Sequence, residues 1–316
     1  MLRHLELLRG AASACRQNMA VKEGESVVVV ADPEMLAYGE AFAYAAEAMG
    51  ADVTLALMKD RGRHGAEPPK PVAAAMEAAD VFILTTTHSL SHTDARRRAT
   101  ERGARGASLP GVTRQMFLEP MTADYVFVRK LTEAVASILD RGDTVRITSP
   151  SGTDLTLSIK GRVAMRDDGD YTRPGTWGNL PAGEACIAPV ETEGEGVLAP
   201  VYPGSAEPLR ITVRDGRAVS FEGGARSIER VLREAGECGF HVAELGVGTN
   251  PKARLVGNVL EDEKVLGTVH IAFGDSTSFP GGRNKCEVHV DLVVLNPTVT
   301  VDGREILRDG KIMVKV

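Results

Sequence analysis

Aromatic side chains are scarce in this chain: they make up 4% of its 316 residues, with a single tryptophan, Trp177. Stacking platforms for single-stranded nucleic acid need several such rings, so that class of function is excluded. A basic excess is also missing. Lys and Arg number 37 against 43 Asp and Glu, a net charge of −6, which gives no general attraction to nucleic acid or anionic membrane. No apolar run approaches the roughly 20 residues that span a bilayer. Cysteines are few. Cys15, Cys186, Cys238 and Cys286 form no C-x-x-C pair, and the start of the chain is not signal-like. They therefore read as reduced thiols of a cytoplasmic protein, Cys186 and Cys238 as buried ones. The first β-branched run leads into "ADPEM" instead of G-x-G-x-x-G, so a dinucleotide fingerprint is absent.

What is present is an ordinary globular composition, 43% hydrophobic and 25% charged, long enough for about two domains. The first part alternates helix and strand. "LELLRGAASACRQNM", "PEMLAYGEAFAYAAEAMGA" and "PKPVAAAMEAA" have helical spacing, while "ESVVVVAD", "DVTLALM" and "DVFILTTT" read as strands. That βαβ rhythm predicts a parallel sheet with covering helices. After "DYVFVRKLTEAVASILDRGD" the rhythm changes to short strands with Gly and Pro turns, beginning with the hairpin "TVRITSPSGTDLTLSIKGR" and broken by one helix at "SIERVLREAG". The expected fold is thus an N-terminal α/β domain, residues 1–135, followed by a β-rich α+β metal-binding domain, residues 136–316.

Chemistry concentrates late in the chain. In "CEVHVDLVV", strand alternation puts Glu287, His289, Asp291 and Val293 on one face and Val288, Val290 and Leu292 on the other. His289 and Asp291 then lie roughly 6–7 Å apart along the strand, close enough to converge on one cation. "VLGTVHIAFG" reads as a neighbouring strand with His270 near its end. Imidazole and carboxylate are the usual ligands of zinc- and iron-type metals. Upstream, "NLPAGEACIAP" places Glu184 at the start of an apolar strand, and "HVAELGVGTNP" places Glu244 inside one. An acid there is costly to bury unless paired or bound to metal, although an exposed edge position explains Glu244 equally well.

The motifs "NLPAGE", "ELGVGTNPKA", "GNVLEDEKVLGTVHIAFG" and "VHVD" resemble the metal-dependent aminopeptidases of the aminopeptidase T type. They resemble still more closely a group of shorter bacterial proteins labelled leucyl aminopeptidase. That superfamily also takes in the iron-dependent 2,5-dihydroxypyridine 5,6-dioxygenases. The resemblance covers most of the chain and is strongest from about Asn179 to Leu295. It implies metal ligands at Glu184, Glu244, His270, His289 and Asp291, with Glu184 or Glu244 alternatively serving as general base. The peptidase family's catalytic Tyr falls in "DSTSF", near Ser276 or Thr277, and is absent. In the dioxygenases the position matching Glu244 resembles a His and the H-I-A-x-G histidine resembles a gap. His270, His289 and Asp291 still supply a two-His, one-carboxylate set.

These features lead to an expectation of amide or peptide hydrolysis at a free amino end, with two divalent ions (Zn, Co, Mn or Fe) activating water. The alternative is an Fe(II) ring-cleaving dioxygenase. In "HSLSHTDARRRATERGARG", Ser91, His92 and Thr93 are expected to cap a helix facing the cleft between domains. His92 and Arg96 would there bind a substrate carboxylate, joined by Ser276 and Thr277. The expected partner is a small molecule or short peptide, with no nucleic acid or membrane. A homodimer or higher homo-oligomer is implied by the resemblance alone.

Overall fold

The computed structural model describes residues 5–201 and 208–316. Along the chain run α1 (Leu5–Ser13), β1 (Ser26–Ala31), α2 (Leu36–Glu47), β2 (Asp52–Leu57), α3 (Lys70–Ala78), β3 (Val81–Thr85), α4 (Asp94–Glu101), β4 (Arg105–Ser108) and α5 (Arg114–Leu118). Then come α6 (Tyr125–Leu139), β5 (Thr144–Thr148), β6 (Asp154–Ser158), β7 (Met165–Asp167), β8 (Trp177–Asn179), β9 (Glu184–Ile187), β10 (Gly194–Leu198), β11 (Leu209–Arg214) and β12 (Arg217–Gly223). The last stretch holds α7 (Arg226–Glu234), β13 (Val242–Gly248), α8 (Val259–Asp262), β14 (Val269–Gly274), β15 (His289–Val294), β16 (Thr298–Val301), β17 (Arg304–Arg308) and β18 (Lys311–Ile312). No helix among the described residues is long and apolar enough to cross a membrane.

Two compact units result, one of Met1–Tyr125 with Gly169–Ala182, the other of Val126–Asp168 with Gly183–Val316. Sequence rhythm places one boundary at residue 135; the chain instead crosses at 125, 168 and 182. The reason is packing. Leu131, Val135 and Leu139 of α6 are buried in the core of the second unit, and β8 returns to pair with β4 of the first. Neither attachment leaves a periodic trace in the sequence.

The first unit is a parallel sheet in the order β2-β1-β3-β4-β8, connected by helices as the βαβ pattern requires. β1 has neighbours on both sides and its four valines are buried, which is why its sequence is a continuous apolar run instead of an alternating one. The second unit holds two antiparallel sheets, β12-β11-β10-β6-β5-β16-β17-β18 and β15-β14-β13-β9-β7. Both contribute to one apolar cluster, with Val145, Ile147, Leu155 and Leu157 from the larger sheet meeting Leu245, Val247, Ile271 and Leu292 from the smaller. Each such side chain, fully buried, is worth about 1.5–3 kcal/mol, enough to hold the smaller sheet's apolar face inward.

One composition reading is corrected. Cys238 and Cys286, 48 residues apart, are joined in a disulfide with Cα atoms 5.5 Å apart. Cys238 lies half-buried in a short 3₁₀ turn, Glu237–Phe240. Only Cys15 and Cys186 are free, and both are buried. Spacing alone could not reveal the pair, because the loop after β14 brings Cys286 back to that turn. The amide of Asn284 donates to the carbonyl of Cys238 at 2.8 Å and to that of Gly274 at 2.6 Å, fixing the return.

Candidate metal centre

The smaller sheet of the second unit has two chemically distinct faces. Directly paired residues share a face, and the register pairs Glu184 with Gly248, Cys186 with Gly246, Gly246 with His270, Glu244 with Ala272, Ala272 with Asp291, and Gly274 with His289. The residues between them point into the apolar core, so every charged member is forced to the opposite side. His270 is the second residue of β14, not one near its end. The floor of this face is Gly246, Gly248, Ala272 and Gly274. A Cβ at Gly246 would lie 2.0 Å from His270 Cε1 and 2.1 Å from its Nε2. Glycine there lets the imidazole lie across β13 towards the acids.

Four strands, β9, β13, β14 and β15, deliver the donor atoms. His289 Nε2 is 2.9 Å from Glu244 Oε2 and 3.3 Å from Asp291 Oδ1, while His270 Nε2 is 3.3 Å from both Glu244 Oε1 and Glu184 Oε2. Glu184, Glu244 and His270 are buried, and His289 keeps about 30% of its side chain exposed. His289 Nδ1 lies 2.7 Å from the carbonyl of Asp275, to which an Nδ1–H donates. That bond turns Nε2 towards the acids, the arrangement that orients metal-bound histidines. Phe279, itself nearly buried, stacks on the His289 ring at 5.8 Å with a 29° interplanar angle.

The electrostatics follow from burying acids and imidazoles against one another. Burial opposes charge on Glu244, yet hydrogen bonds from His270 and His289 outweigh it and hold its carboxyl far below the usual range. Burial likewise opposes the imidazolium forms, but Glu244, Glu184 and Asp291 raise His270 to about 10. Asp291 and Glu244 raise His289 to about 12. Burial pushes Glu184 up to about 8 against the pull of Lys264. It also pushes the Cys186 thiol well up, which leaves sulfur a poor ligand beside the carboxylates. A cation bound here would displace imidazole protons.

Glu244, His289 and Asp291 each bring a ligand atom within 4.8 Å of the others, as do Glu184, Glu263 and His270, and Glu184, Cys186 and Glu244. Asp291 Oδ1 and Glu184 Oε2 are buried and accept no hydrogen bond. Mixed imidazole and carboxylate donors, with these two oxygens facing imidazole nitrogens at 3.3 Å without a hydrogen bond, suit a divalent ion of zinc or iron type. All five residues the sequence singled out as ligands thus lie on one face. Lys264, however, is 2% exposed with its Nζ 2.6 Å from Glu184 Oε1, 2.7 Å from Glu263 Oε1 and 2.9 Å from Asp167 Oδ2.

Lys264, Glu263, Asp167 and Phe279 were missed from the sequence. "EDEK" looks like a solvated charge run, and nothing local separates a buried lysine from an exposed one. Ser276 and Thr277 spend their hydroxyls within the loop. Ser276 Oγ accepts from the Asn284 amide at 3.0 Å, and Thr277 donates to Asp275 Oδ1 at 2.7 Å.

In the first unit Thr93 caps α4, its hydroxyl accepting from the Arg96 amide at 3.2 Å. Arg96 is buried, donates from Nε to the Ser91 carbonyl at 2.8 Å, and lays its guanidinium 3.9 Å from the Trp177 ring centroid. Burial, then the nearby Arg97 charge, lowers its pKa to about 10. His92 is exposed, edge-on to Trp177 at 6.4 Å.

With this geometry in hand, comparison adds a family. A family model described as 2,5-dihydroxypyridine 5,6-dioxygenase matches residues 10–314. The solved 2,5-dihydroxypyridine dioxygenase of Pseudomonas putida KT2440 is similar over 98% of this chain and 97% of its own, at 18% identity and a TM-score of 0.81. Wild-type AmpT of Thermus thermophilus is similar over 98% and 99%, at 18% identity and 0.72. At these identities both show a shared fold. No curated protein matches the chain.

Proposed function

Since the chain belongs to the 2,5-dihydroxypyridine 5,6-dioxygenase family, we propose that it is a metal-dependent oxygenase that opens a hydroxylated aromatic ring, its metal held by Glu244, His270, His289 and Asp291. The observation that carries this reading is the convergence of two imidazole Nε2 atoms on Glu244, with the Nδ1 of His289 committed to the Asp275 carbonyl. Two imidazoles and one or two carboxylates are the donor set of non-haem iron oxygenases. The dioxygenase resemblance has a histidine at the position of Glu244 and none at that of His270. This chain restores the second imidazole from the adjacent strand.

A bound Fe(II) would supply the site at which oxygen and the substrate hydroxyl meet. The chain does the rest. Asp275 holds the His289 ring in orientation, and Phe279 lays an apolar ring against one face of it. Glu184 holds the Lys264 ammonium through Oε1 and turns Oε2 towards His270, which suits that second oxygen to the role of base. With the hydroxyls of Ser276 and Thr277 used inside their loop, Phe279 is the better candidate for a contact with an aromatic substrate. Anion recognition in the first unit is assigned to Arg96, with His92 beside it.

The order of the two sequence readings is therefore reversed. Amide hydrolysis stays as the second reading, supported by the buried acids Glu184 and Glu244 that the aminopeptidase resemblance requires. Against it, an aromatic ring without a hydroxyl stacks on His289, and a hydrolase would lack that transition-state donor. Anaerobically purified, iron-loaded protein should consume oxygen with 2,5-dihydroxypyridine and leave aminoacyl amides intact under nitrogen. Amide cleavage without oxygen, and no oxygen uptake with hydroxylated aromatics, would establish the hydrolase instead.

A further inference from the structure

We propose that the Lys264 ammonium takes the place of a second metal ion, so that this centre binds one divalent ion per chain. The inference rests on the metal reading of the preceding subsection and settles a point the ligand types alone leave open. Of the three groups with ligand spacing, two lack the poorly ligating Cys186 thiol: Glu244 with His289 and Asp291, as the first, and Glu184 with Glu263 and His270, as the second. In the second group both carboxylates already bind a cation, Lys264 Nζ lying 2.6 Å from Glu184 and 2.7 Å from Glu263. Asp167, paired with Glu184 across β7 and β9, supplies the third acceptor at 2.9 Å. An ammonium has three protons, and here each has its own carboxylate. A divalent ion on the same carboxylates would face the ammonium charge at close range in a poorly screened interior.

The lysine is built in and not a loose arm that a metal would brush aside. Its carbonyl accepts from the Asn250 amide at 2.9 Å and its amide donates to Glu261 at 3.0 Å. Its backbone passes tightly over β13, where a Cβ at Gly248 would meet the Lys264 carbonyl carbon at 2.9 Å and the Val265 oxygen at 2.0 Å. The glycine that pairs with Glu184 is thus also the one that admits the lysine segment. Lys264 is a positioning residue: it holds Glu184 and Glu263 and leaves Glu244, His289, Asp291 and the Nε2 of His270 to a single ion.

The test is a count. Full-length protein is stripped with chelator, dialysed anaerobically against Co(II), and its metal content and visible absorption are measured. Wild type should bind one ion. Lys264→Ala, which removes the charge and opens the space, should bind two, with a second set of Co(II) bands. Lys264→Met removes the charge but fills the space and should bind one. Two ions in wild type would overturn this inference and leave the metal reading intact. No bound ion in wild type would overturn both. A Lys264→Ala variant with native circular dichroism that still binds one ion would also overturn it. If that variant does not fold, the wild-type and Lys264→Met counts decide, and two ions in either one refutes the substitution.

Discussion

Two buried cations of this protein are managed in opposite ways. Lys264, in the second unit, is 2% exposed and ringed by Asp167, Glu184 and Glu263. Arg96, in the first, is 8% exposed and has no carboxylate partner among the described residues; its contacts are a backbone carbonyl, the Thr100 hydroxyl and the face of Trp177. A buried charge must be compensated, and the first kind of cation is compensated by the protein itself. The second is desolvated at modest cost because guanidinium is weakly hydrated and stacks on aromatic faces, which leaves it able to receive an external anion. One cation is saturated and holds other residues in place; the other is unsaturated and suits recognition.

The largest effect should come from removing the saturated cation. In chelator, Lys264→Met strands three carboxylates and should lose about 3–5 kcal/mol in urea unfolding. A loss no greater than that of an exposed lysine would mean the ring of acids is not energetically closed. Next in size is the metal itself. His289→Ala and Glu244→Gln should each weaken metal binding at least about 10-fold, as loss of a ligand must exceed the 10–100-fold cost of losing a supporting residue. Dialysis against Co(II) reads this directly, and unchanged affinity in both variants would remove them from the ligand set.

A smaller effect is expected from pH. The folded-state pKa of His270 is about 10 against an ordinary 6.5, so its contribution to apoprotein stability is complete below 6.5 and lost as pH rises through 10. Glu184 is raised from 4.5 to about 8, so its contribution has the same sign and is lost as pH rises through 8. Chelated protein should therefore melt at lower temperature at pH 9 than at pH 6.5, while metal affinity rises over the same interval as imidazole protons are displaced. Calorimetry at the two pH values, with proton release measured in buffers of different ionisation enthalpy, checks both signs. The smallest change in stability should follow Arg96→Met, about 1–2 kcal/mol, since the stacking on Trp177 and the bonds to Ser91 and Thr100 are lost but no ion pair is broken. Its anion response should nonetheless vanish. Benzoate should alter the emission of Trp177, the chain's lone tryptophan, in wild type and leave it unaltered in the variant.

How much of this could be read beforehand varies by residue. His289 and Asp291 were legible because a two-residue period assigns faces to a strand whatever surrounds it. Glu184, Glu244 and His270 were legible as residue types in apolar strands, where an acid or imidazole needs a reason. Phe279 was not, since an aromatic in a Gly- and Pro-containing loop has no phase to follow. The bond between Cys238 and Cys286 was hidden for a related reason: a reduced pair and a bonded pair have the same spacing.

The sequence by itself determined the βαβ start, the change to short strands after α6, and the acids and imidazoles available as candidate metal ligands, because each is expressed in local periodicity or composition. Tertiary structure alone decided that Gly169–Ala182 rejoins the first unit, that Gly246 is the space in which the His270 ring lies, and that the lysine of "EDEK" is buried among acids while the arginine after "SHTDA" is stacked on Trp177. Those outcomes depend on which strands pair and how closely backbones approach. Such contacts join residues far apart in the chain, and no short window of sequence encodes them.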